Sequence, residues 1–176
     1  MRSRVLEPIS DHHVGQRHLD RLVMLSDGVF AIAITSSTIE IRPEARPGQT
    51  LWQVWSTPLL IYFFSFLIIG LIWANHRRMV AHLRDIDAIG TVLNLVLLSL
   101  VALMPLVTRF IFADAAHGVD LLIFALALMA TFTCMAVLWG YLAFVAGLAP
   151  DLDRSTAMLW LLEMLSPPIG AMGVVL

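Results

Sequence analysis

Asp27 is the first residue whose chemistry demands an explanation. It stands near the start of an apolar run from Leu22 to Ile41. An ionisable group stranded at membrane depth costs several kcal/mol, so it marks a function or a structural partner. Further along the same run come four hydroxyls in succession, Thr35-Ser36-Ser37-Thr38. Hydroxyls in a spanning helix can return their proton to the i−4 carbonyl without any ligand. Four in a row, however, cover every face of the helix.

A helix turns 100° per residue, and with Ile32 as the reference direction Leu25, Val29, Thr35, Ser36 and Ile39 fall within roughly 60° of it. They form one stripe of alternating bulky apolar and hydroxyl layers. Repeated around a symmetry axis, such layers make hydrophobic constrictions with polar rings between them, an arrangement that gates by dewetting. Ordinary helix packing accounts for the same pattern. Asp27 lies about 140° from the stripe, so if the stripe lines a pathway Asp27 points back into the protein. Arg21 is about 240° round from Asp27 and poorly placed to pair with it. A donor from another helix fits better, and Trp73, His76 and Asn94 are available.

The remaining candidates carry less. His76 with Arg77 and Arg78 reads as an end-of-span cluster or a proton sensor. His12, His13 and His18 read as a metal site or a polar tail. Glu163 reads as a proton site or as a side chain reaching a helix end. No nucleophile elbow, glycine-rich phosphate loop, HExxH or CxxC pattern occurs. The absence of a TVGYG-type loop excludes the ordinary potassium filter.

These residues must be positioned by membrane helices. The chain has 176 residues, 59% hydrophobic and 14% charged, against roughly 45–50% and 25% for soluble domains. Spanning helices of about 20 residues would consume it and leave no room for a soluble catalytic domain, so no enzyme is expected. Net charge is −2 with the basic residues dispersed, which gives nucleic acid no electrostatic basis. The spans read as Leu22–Ile41, Leu51–Asn75 with Trp52, Trp55 and Trp73 at its ends, Ala88 to about Phe112 kinked by Pro105, and Val119 to about Leu148. A fifth, Ser155–Ser166, is interrupted by Pro167-Pro168 before Ile169–Leu176 and predicts one broken span or a helix with a re-entrant piece. With the N-terminus cytoplasmic, Arg2, Arg4, Arg17, Arg21, Arg77, Arg78, Arg84 and Arg154 lie inside, and only Arg42, Arg46 and Arg109 outside. The expected architecture is an all-α polytopic transmembrane bundle of five to six helices per subunit. Residues 1–20 form a cytoplasmic N-terminal segment and 21–176 the transmembrane channel domain.

The stretch from Arg21 through Ser26-Asp27 to Ala31-Ile32-Ala33-Ile34-Thr35 resembles the first-helix signature of the transmembrane protein 175 potassium channel family, an Arg, three residues, then Phe-Ser-Asp. Leu25 replaces the Phe. Trp73-Ala-Asn-His76 and the segment Asn94 to Pro105 resemble that family's second and third helices. The resemblance implies a homotetramer of six-helix subunits in the cell membrane, without a carbonyl filter and with the first helices lining the pore. It places the constriction at Ile32, a selectivity-associated layer at Thr35, and further apolar layers at Ser36 and Ile39, where Ser36 departs by being polar. It assigns Arg21, Ser26, Asp27, Trp73, His76 and Asn94 to an inter-helix polar network. Potassium is the implied permeant ion, with no cofactor. The competing readings are a small proton-coupled transporter using Asp27, His76 or Glu163, and a non-conducting assembly protein.

Overall fold

The computed structural model describes residues 11–39, 47–113 and 118–175, together with Ile41 and Pro43. These residues form five helices and no strand: α1 (Asp11–Ile39), α2 (Leu51–Val80), α3 (Ala88–Ala113), α4 (Gly118–Gly140), extended by a wide π-type turn over Tyr141–Val145, and α5 (Arg154–Val175). α1 begins well before the apolar run, so the second half of the expected N-terminal segment is helical. Residues 1–10 lie outside the described residues, as do Glu40, Arg42 and Arg46.

Local chemistry fixes the ends. Thr50 caps α2 reciprocally with Gln53: the Thr50 Oγ1 accepts from the Gln53 N–H at 3.4 Å and the Gln53 Oε1 accepts from the Thr50 N–H at 2.9 Å. Asp87 opens α3 by accepting the Gly90 N–H at 2.8 Å, and its second carboxylate oxygen accepts the Tyr141 hydroxyl. α4 stops at Gly147, whose φ of +64° is cheap only without a Cβ. At α5 the Ser155 hydroxyl, then backbone N–H groups, hold the exposed Asp153 carboxyl below its ordinary value against a smaller opposing desolvation.

α1 packs against α2 and α3, α3 against α4, and α4 against α5. The buried face of α1 is Leu19, Leu22, Ser26, Phe30, Ala33 and Ser37, a three-to-four spacing that keeps one stripe toward its neighbours. Arg84 joins two connections at one end, with a bidentate pair to Asp151 (2.6 and 3.4 Å) and its N–H on the Leu148 carbonyl at 3.1 Å. Phe63, Leu67 and Leu71 stay exposed on α2, as helices surrounded by lipid require.

Among the described residues, four segments can cross a membrane by length and apolar composition: Gly15–Ile39, Leu51–Val80, Ala88–Arg109 and Asp120–Val145. The expected break in the last segment is a correction. α5 continues through Pro167-Pro168 as one helix. Pro167 has no N–H for the Glu163 carbonyl, and the Ser166 hydroxyl donates to that oxygen instead at 2.8 Å. Pro105 likewise lies inside an unbroken α3.

α5 is held by Trp139, which is fully buried and donates its Nε1–H to the Ala157 carbonyl at 3.0 Å while its ring lies 5.5 Å from that of Trp160. Trp139→Ala should therefore cost about 3–5 kcal/mol. Trp52→Ala, at a side chain 75% exposed, should stay within about 0.5 kcal/mol. Thermal unfolding of the two variants in detergent measures the difference.

Candidate functional site

Three side chains of the expected polar network meet in the core. Asn94 of α3 is the hub. Its Oδ1 lies 2.8 Å from His76 Nε2 on α2, and its Nδ2 donates to the Ser26 Oγ on α1 at 3.0 Å. Because an amide oxygen only accepts, the His76 Nε2 carries the proton in this arrangement. Ser26 passes its own proton to the Leu22 carbonyl at 2.8 Å. All three residues are buried to 2% exposure or less, and the Phe30 ring lies 5.4 Å from the His76 ring. The result is a water-excluded three-helix tie.

Asp27 belongs to a second, shallower contact. The Trp73 Nε1–H donates to its Oδ1 at 2.9 Å. The carboxylate is exposed, at the edge of a groove of ≈ 850 Å³ between α1 and α2 that Arg77 and Asp20 also line. Arg77 holds its guanidinium 5.5 Å over the Trp73 ring.

Arg21 does not join the network, which corrects the expectation. Its side chain is exposed beside His18, Leu25, Asp87 and Thr91, in a groove of ≈ 460 Å³. It makes no hydrogen bond or ion pair among the described residues. The reason is helical phase: eleven residues separate Arg21 from Ile32, which brings it to within about 20° of Ile32 and away from the buried face.

The Ile32 stripe lies opposite the buried face of α1. Leu25, Ile32 and Ile39 are 50%, 66% and 70% exposed. Thr35 is exposed between them, and Val29 and Ser36 are half-buried at the flank. The Thr35 proton is spent on the backbone, with the Ala31 and Ile32 carbonyls both at 3.0 Å, so the face it presents outward is its oxygen and methyl. Among the described residues of one chain nothing covers this stripe, and one helix cannot enclose a pathway.

Glu163, the proton-site candidate, is ion-paired with Arg78 at 3.0 Å, and both side chains are about half exposed. Arg78 also lies 3.9 Å over the Trp160 ring, so the trio is a surface tie between α2 and α5. The side chains of His12 and His13 lie outside the described residues. Among those described, no cluster of three His, Cys, Asp or Glu side chains could hold a metal. Two residues outside the sequence reading, Ser65 and Thr108, are buried with Ser37. Each is one of several hydroxyls in its apolar run, beside Ser56 and Thr57 in the second and Thr91 and Ser99 in the third, so no pattern singled it out.

A family profile described as "Endosomal/lysosomal potassium channel TMEM175" matches residues 21–105, the part that contains both the tie and the stripe. Over these residues the chain is similar to the TMEM175 family. It is 32% identical over 131 residues to a potassium channel of Streptomyces collinus, covering 69% of this chain and 63% of that protein. A potassium channel of a Chryseobacterium species is 35% identical over 117 residues, covering 61% and 59%. The chain thus spans less than two thirds of these curated relatives. The crystal structure of a lysosomal potassium-selective channel TMEM175 homologue from Chamaesiphon minutus superimposes with a TM-score of 0.68 at 27% identity, covering 91% of this chain and 92% of that one. Helix composition and these similarities together make this chain a multi-pass integral membrane protein.

The two polar contacts should respond differently to substitution. Asn94→Leu leaves the buried His76 N–H without an acceptor and should cost about 1–3 kcal/mol. Trp73→Phe frees a carboxylate that water can reach and should cost well under that. Thermal unfolding in detergent ranks the two, and an equal loss would contradict the buried-hub account.

Proposed function

We propose that this protein is a potassium-permeable cation channel of the cell membrane, assembled as a homotetramer with α1 of each subunit facing a shared axis. The observation that carries this reading is the uncovered Ile32 stripe, apolar and hydroxyl layers on the side of α1 turned away from its own core. A shared axis gives that stripe a function that lipid exposure alone would not require of its hydroxyls. Ile32 supplies the hydrophobic constriction and Ile39 a second apolar layer. Thr35 and Ser36 supply the oxygen-bearing layers between them, where a partly dehydrated cation can be coordinated. The relatives described as potassium channels support the choice of ion. The Arg-rich end, carrying Arg17, Arg21, Arg77, Arg78 and Arg84, faces the cytoplasm. Asp27 lies off the stripe and holds helices together. The pairing of Glu163 with Arg78 removes the strongest support for a proton-coupled carrier.

The test is potassium flux into liposomes containing the purified protein. Wild type should conduct, and Ile32→Asn should raise the flux about tenfold by lowering the dewetting barrier by about 1.4 kcal/mol. No flux from either form would end the channel reading.

A further inference from the structure

The His76–Asn94–Ser26 tie holds one part of α1. The structure contains a second three-helix tie on the other side of Ile32, built only of hydroxyls. Ser37 of α1, Ser65 of α2 and Thr108 of α3 are 4%, 2% and 0% exposed. Ser37 Oγ and Ser65 Oγ are 2.9 Å apart, and Thr108 Oγ1 lies 3.4 Å from Ser65 Oγ. Thr108 also reaches the Met104 carbonyl of its own helix, and Ser37 reaches the Ala33 carbonyl at 3.3 Å.

Three hydroxyls bring three protons, and each must be placed in a site water does not enter. One assignment serves all of them. Thr108 shares its proton between the Met104 carbonyl and the Ser65 Oγ, Ser65 donates to Ser37, and Ser37 donates to the Ala33 carbonyl. Ser65 is the only member for which no backbone acceptor is within reach among the described residues, so its proton is committed to the neighbouring helix. The chain of bonds therefore runs from α2 into α1 and ends on the backbone of Ala33, next to Ile32. Along the α1 axis Ser26 lies about 9 Å before Ile32 and Ser37 about 7.5 Å after it. The turn bearing the constriction is thus pinned on both sides, by one tie rich in charge-polarised groups and one of neutral hydroxyls.

We propose that Ser65 is a positioning residue for conduction: through Ser37 it sets the rotation of the Ile32–Thr35 turn, and the hydroxyl tie is the weaker of the two pins, the one whose loosening opens the constriction. This rests on the reading of α1 as pore-lining. It also gives the hydroxyl run a division of labour, with Thr35 and Ser36 directed outward and Ser37 directed inward.

The test uses the full chain in liposomes. Ser65→Ala leaves Ser37 its Ala33 acceptor and Thr108 its Met104 acceptor, so the fold keeps its polar groups satisfied. It should raise potassium flux per channel about fivefold, the factor set by one net hydrogen bond. Ser37→Ala should do the same, and the double variant should add nothing further, since both remove one interaction. Met135→Ala, at a fully buried position on α4, should lower the unfolding temperature without changing flux per channel. As a second readout, Ala33→Cys in a Cys134→Ala background should be unreactive with a water-soluble thiol reagent, and adding Ser65→Ala should make it reactive. Unchanged flux with Ser65→Ala in a conducting wild type overturns the proposal, as do additive effects in the double variant. If the wild type itself does not conduct, the pore reading fails separately, and a thiol at position 33 that stays unreactive after Ser65→Ala then overturns the tie.

Discussion

In a bilayer, lipid tails solvate an apolar helix as well as another helix does, so α1 cannot be held to its neighbours by hydrophobic burial alone. What holds it is the buried amide of Asn94, reaching His76 on one side and Ser26 on the other. The amide is effective because of where it sits. Without water, an unmet donor or acceptor is expensive, and among the described residues no buried side-chain nitrogen or oxygen lacks a partner. Close packing around the tie supplies the remaining attraction, with Phe30, Ile69, Ile72, Met79 and Leu97 each at 1% exposure or less.

Fixing one face of α1 fixes the other. Once Ser26, Phe30, Ala33 and Ser37 are turned inward, helical phase leaves Leu25, Ile32, Thr35 and Ile39 outward, with no freedom to choose. The same phase carries Arg17 and Arg21 onto the outward side and takes Arg21 out of the polar network. Asp27, between the two faces, is left to the Trp73 indole at the rim of a groove. The rest of the molecule supports this arrangement from behind. α3 rests on α4, and α4 carries α5 through Trp139 and Trp160.

Much of this was legible in the sequence, because the governing quantities are local. Composition and run length located the four membrane-length segments, with the first expected to start at Leu22 against Gly15 and the second to end at Asn75 against Val80. Helical phase separated the Ile32 stripe from Asp27, and the choice of Trp73, His76 and Asn94 as cross-helix donors named the groups the structure places near Ser26 and Asp27. Residues whose position depends on a distant partner were less legible. Arg21 entered the network only through the family resemblance, whereas helical phase already placed it poorly to pair with Asp27. Pro167-Pro168 looked like a break because the Ser166 hydroxyl that compensates it could equally have faced elsewhere. Ser65 and Thr108 carried no pattern at all, since one hydroxyl among several in an apolar run says nothing about which helix it meets.

A pore between copies of the chain requires the outward stripe of α1 to face water and not lipid. Cysteines placed singly at positions 25, 32 and 39, in a Cys134→Ala background reconstituted in lipid vesicles, test this directly. Each should react with a water-soluble, membrane-impermeant thiol reagent, and short bifunctional thiol reagents should join two copies through position 32. Reaction only with lipid-soluble reagents, and no cross-link at position 32, would mean that the stripe faces the bilayer and that α1 lines no pathway.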